Sequence, residues 1–84
     1  EIRKMEGLRI LDASNNKLTG IPAEIGQLKN LEELYLSSNN IDTMPNEIEN
    51  IRDNLRVLDI RDNDFSLSLI EEIKNKLPNT DIKY

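Results

Sequence analysis

The stretch from Leu31 to Ile41 reads L-x-x-L-x-L-x-x-N-x-L, with Leu31, Leu34, Leu36, Asn39 and Ile41 at its fixed positions. The chain repeats it on both sides. Moving back 23 residues finds Leu8, Leu11, Ala13, Asn16 and Leu18; moving forward 24 finds Leu55, Leu58, Ile60, Asn63 and Phe65. Only Ala13 is undersized. Self-similarity at such a period marks a stack of small supersecondary units, none of which buries its apolar face without its neighbours.

The second Leu of each copy stands between residues that alternate in and out with period two. This predicts short, parallel-paired strands near Ile10 to Asp12, Glu33 to Tyr35 and Val57 to Asp59. The second halves, Ile21 to Leu28 and Met44 to Ile51, carry apolar residues three and four apart, which is helical spacing. Pro22 and Pro45 suit the first helical position, and Glu24 and Glu47 lie where the helix dipole favours an anion. Each copy is thus strand, turn and short helix, an α/β class. Strands sit about 4.8 Å apart and helices about 10 Å apart, so a stack of these units curves with the sheet inside.

After Phe65 the pattern lengthens into Ser66 to Pro78, a stronger helix. Ser68 and Glu71 have capping-box spacing, Leu69, Ile73 and Leu77 share a face with Ile70 beside them, and Pro78 stops the run. A further 24-residue step sets Ile82 on Leu58, predicting a last edge strand at Asp81-Ile82-Lys83. The organisation expected is 1–7 as the tail of an incomplete repeat, repeats at 8–30 and 31–54, a third begun at 55–65, and a C-terminal helical cap at 66–84. Asp53-Asn54 reads as an insertion. The first repeat has no polar cap, which points to further sequence upstream or to a partner there, self-association included.

Eleven Lys and Arg against 16 Asp and Glu give a net charge of -5, which repels nucleic acid and anionic membrane. The 84 residues contain no Cys and no His, removing disulfides, thiolate chemistry and imidazole bases. That favours an intracellular, cytoplasmic setting. No Gly-x-Ser-x-Gly turn or phosphate loop occurs, and a thin stack encloses no pocket of enzymatic size, so the sequence indicates no enzyme and no cofactor. Asp59, Asp62 and Asp64 cluster, but an EF-hand begun at Asp62 needs Gly and Glu where Leu67 and Ile73 stand. No metal site is expected.

The repeated L-x-x-L-x-L-x-x-N-x-L with Ile21-Pro22-x-x-Ile25-x-x-Leu28, and its counterpart through Met44-Pro45, resembles the leucine-rich repeat family over essentially the whole chain. The 23-residue spacing is similar to the intracellular subclass typified by Ras-signalling scaffolds and plant Ras-group proteins, which bacterial proteins share. The resemblance implies a right-handed solenoid with a short parallel β-sheet on its concave side and short helices or 3₁₀ turns on its convex side. It further implies that other proteins bind the concave sheet.

Asn16, Asn39 and Asn63 recur in step with the leucines, and an amide that both donates and accepts suits a buried structural ladder. Recognition falls to the positions that vary. Those pointing away from the core stack as Ile10, Glu33, Val57 and Asp81; as Asp12, Tyr35, Asp59 and Lys83; as Ser14, Ser37 and Arg61; and as Asn15, Ser38 and Asp62. Five acids (Asp12, Glu33, Asp59, Asp62, Asp81) against Arg61 and Lys83 make the face acidic, with Tyr35 at its middle as an aromatic of the kind enriched in binding hot spots. The function expected is non-enzymatic binding of a protein with a basic or mixed surface. The alternatives are the structural C-terminal end of a longer array, or a regulatory arm beside a signalling enzyme such as a GTPase or phosphatase.

Overall fold

A computed structural model describes residues 5–84; residues 1–4 of the expected N-terminal tail lie outside them. Among the described residues four strands form, β1 Ile10–Asp12, β2 Glu33–Tyr35, β3 Val57–Asp59 and β4 Asp81–Lys83, each three residues long. They pair in parallel in chain order. The register follows the 23- and 24-residue steps, with Leu11, Leu34, Leu58 and Ile82 in one row. Pairing continues past the strands, since Asn15 N–H bonds the Ser37 carbonyl at 2.9 Å and Ser38 N–H bonds the Arg61 carbonyl at 3.0 Å. Parallel neighbours require a crossover between them, and in a 23-residue unit only a single short coil of chain is available for it.

That coil carries 3₁₀ segments, Ala23–Gln27 and Asn46–Ile51, in place of α-helix. Five or six residues behind a proline are too few to repay the nucleation of a regular α-helix, so the tighter turn is used. Pro22 and Pro45 also stand one residue earlier than expected. Their ψ values of 153° and 147° are extended, which makes them the residues before each segment and not its first members. The two segments pack closely at Gly26, where an added Cβ would lie 2.6 Å from the Glu47 carbonyl oxygen.

Between sheet and 3₁₀ segments lies a core in which Leu31, Leu34, Leu36, Ile41, Leu55 and Leu58 are buried together with Ile25, Leu28, Ile48 and Ile51. Burial fades toward the first coil. Leu8, Leu11, Ala13, Leu18 and Ile21 are only half-buried, while Met5 and Ile10 are exposed. At the other end α1, Leu67–Lys76, lays Ile73 and the following Leu77 into the core with Leu69 and Ile70 beside them. Its cap is Ser66, whose hydroxyl accepts from Leu69 N–H at 3.1 Å, and not Ser68. Ser66 takes an extended backbone (φ -72°, ψ 157°), so the helix begins before Ser68 can act as its cap.

The extra residue of the second repeat lies within Arg52–Asp53. Leu31 N–H reaches back to the Leu28 carbonyl, three residues away, whereas Leu55 N–H reaches the equivalent Ile51 carbonyl from four residues away. Asn54 itself keeps a repeat role: its amide bonds the Lys29 carbonyl as the Asn30 amide bonds the Glu6 carbonyl, the latter at 3.1 Å. This second asparagine pair, one position before the first Leu of its repeat, escaped the sequence reading, although its 24-residue spacing is visible there.

A candidate protein-binding face

The three asparagines of the motif do not share one environment. Asn39 is 7% exposed, Asn63 half-buried and Asn16 exposed, so the ladder expected to be buried throughout is buried only at its middle rung. Asn39 Oδ1 accepts from Asn16 N–H and Leu18 N–H, both at 3.1 Å, and its amide donates to the carbonyls of Ala13, Leu36 and Ser37. Asn63 repeats this one coil on, accepting from Ile41 N–H and donating to Leu36, Ile60 and Arg61. Asn16 donates to Ala13 and Ser14. Each asparagine follows a residue in the left-handed region, Asn15 (φ 59°), Ser38 (φ 58°) or Asp62 (φ 56°). These three stand in the bends that follow each three-residue strand.

With the framework pinned, the remaining outward side chains line one face. Ile10, Glu33, Val57 and Asp81 form one row, and Asp12, Tyr35, Asp59 and Lys83 the next. Tyr35 thus sits between two aspartates, and Ser37 and Arg61 follow just beyond the strands. The Tyr35 hydroxyl donates to the Glu33 carboxylate on its own strand. That bond, with the surrounding carboxylates, holds the phenol above its ordinary pKa.

The aspartates are fixed locally. Asp12 Oδ1 accepts from the Ser14 hydroxyl at 2.6 Å and from Ser14 N–H at 3.0 Å, which keeps its carboxyl below the usual carboxylate range. Asp59 does the same two strands away, taking Arg61 N–H and Nε on Oδ1 and Nη2 on Oδ2 at 2.8 Å. Arg61 correspondingly lowers the Asp59 pKa and is itself raised. Asp59 is only 3% exposed, so it is not the open surface acid that its place in the column suggested. Asp81 pairs with Lys83 at 3.6 Å. Among the described residues, no group of three acids is placed to hold a metal ion.

Residues 6–52 match the family model described as leucine rich repeats in two copies, and residues 54–76 match a single leucine rich repeat. The chain belongs to the leucine-rich repeat family. It is 44% identical over 48 residues to the flightless-1 homolog of Mus musculus, covering 57% of this chain and 4% of that protein. It is 44% identical over 45 residues to plant intracellular Ras-group-related LRR protein 7 of Oryza sativa, covering 54% of this chain and 17% of that one. A solved leucine-rich repeat protein of Leptospira interrogans superposes with a TM-score of 0.95 at 41% identity, covering 99% of this chain and 21% of that chain. The family, the solenoid and the intracellular Ras-group-like subclass read from the 23-residue spacing are therefore those of this chain. Leucine-rich repeat domains commonly mediate protein–protein interaction and are typically not enzymes. The chain spans less than a quarter of the length of each of these relatives.

Proposed function

We propose that this chain is a non-enzymatic protein-binding module whose concave sheet presents Tyr35, ringed by acids, to a protein partner with a basic or mixed surface. One observation carries the reading. The repeated side chains are turned into the core, while those that change between repeats stand outward on a sheet with no element packed over it among the described residues. A rigid scaffold that varies only its outward positions is suited to recognition, and Tyr35 supplies a large amphipathic contact at its middle. The Ras-group name of the rice relative and the absence of Cys support an intracellular setting. Among the described residues, no helix is long and apolar enough to cross a membrane.

The test is affinity capture followed by mass spectrometry, comparing the parent with Tyr35→Ala/Glu33→Lys. Both positions are half-buried and lie outside the main core. Loss of a specific partner with circular dichroism unchanged supports the reading; unchanged capture overturns it.

A second reading, as the C-terminal end of a longer array, is favoured by the half-buried first coil and by the small share of each relative that the chain spans. There α1 closes the core while coils stacked on β1 carry recognition. Attaching one more repeat ahead of β1 should then raise the unfolding midpoint.

A further inference from the structure

The concave face divides into two halves of different character. On β1 and β2, Asp12 and Glu33 have no cation against them among the described residues; their partners are the Ser14 hydroxyl and the Tyr35 phenol, both neutral. On β3 and β4 each acid is held by the cation two residues on, Asp59 by Arg61 and Asp81 by Lys83. In the closer pair the two ends are unequally placed. The Asp59 side chain is 5% exposed and that of Arg61 59%, so an incoming molecule meets the guanidinium and not the carboxylate. Nε and Nη2 donate to Asp59, which orients the largely exposed guanidinium before any partner arrives. The largest exposed apolar group of the face, Ile10 at 54%, lies in the row of Glu33 at the anionic end.

We propose that the sheet takes an extended segment of a protein partner, laid across the strands, with a basic residue and an apolar neighbour over Ile10, Asp12 and Glu33 and an acidic residue against Arg61. This rests on the concave-face reading above and adds to it the partner's charge order. Complementary potentials at the two ends fix the direction in which the segment lies, whereas a uniformly acidic face would accept any basic chain in either direction. Asp59 acts as a positioning residue, aiming Arg61 without meeting the partner.

Two synthetic peptides of identical composition provide the test, one with its lysines at one end and its glutamates at the other, the second with the same residues alternated. Each carries a nitroxide at the terminus that is basic in the block peptide, and each is titrated into the 15N-labelled protein. The proposal expects the block peptide to bind at least about fivefold tighter, the yield of about two exposed ion pairs. It also expects the label to broaden the amides of Ile10–Asp12 and Glu33–Tyr35 well before those of Val57–Arg61. Equal affinities, or even broadening across all four strands, overturn the charge order while leaving the concave face as a binding surface. Broadening of no sheet amide by either peptide overturns both.

Discussion

The Asn39 side chain is wholly engaged with main chain, closing the coil before it and the coil it belongs to at once. Replacing it with Leu leaves the part-buried N–H groups of Asn16 and Leu18 without their acceptor, at about 1 to 3 kcal/mol. Asn16→Leu, at an exposed rung, should cost clearly less in the same urea titration. Equal losses would show that position in the stack does not matter. Gly26→Ala sets a methyl against the Glu47 carbonyl, and the backbone must give, with about 1 to 3 kcal/mol expected by the same measurement. Asp59 adds a pH dependence. Its folded pKa lies below the ordinary 3.8 because Arg61 bonds the ionised form, so its stabilisation is complete above the unfolded value and disappears as pH falls through the folded one. Asp59→Asn should therefore flatten the acid side of the stability curve below about pH 4. An unchanged acid slope would contradict the assignment.

Helix α1 provides the sharpest comparison between elements. Ser66→Ala removes the hydroxyl that accepts from Leu69 N–H and should cost about 1 kcal/mol, while Ser68→Ala, inside the first turn and exposed, should be close to neutral in thermal unfolding. The reverse ranking would restore the capping box that the Ser68 and Glu71 spacing suggests. That spacing misled because two serines stand two residues apart where the helix starts, and sequence spacing alone does not say which one takes the extended backbone. The strands were legible to the residue, since one apolar row fixes the register of every neighbour and a slip by one would turn Leu34 outward. The 3₁₀ character of the second halves was offered only by the family resemblance, as one of two options, because apolar positions three and four apart suit both kinds of helix and only the closure of a 23-residue coil decides between them.

At the scale of the molecule, the open charge of the outward columns is not the sum of their acids. Counting acids along the columns took Asp59 as open surface, whereas Arg61 folds back over it, a contact between residues of one strand end that a column count does not register. Asp62 stands in the left-handed bend beyond β3 and not in the strand itself. Among the described residues, the strand acids with no cation against them are Asp12 and Glu33, so partner affinity should fall as salt is raised from about 50 to about 300 mM. Affinity independent of salt would place the energy in Tyr35 and Ile10 alone. The central claim is that two interleaved sets of residues carry separate tasks, the buried one holding the coil and the outward one recognising a protein. Its most direct test replaces Ile10, Asp12, Glu33 and Tyr35 together by Ser and measures the melting curve and partner capture on the same sample. The account predicts a cooperative transition within a few degrees of the parent and loss of the partner; retained capture, or collapse of the fold, would contradict it.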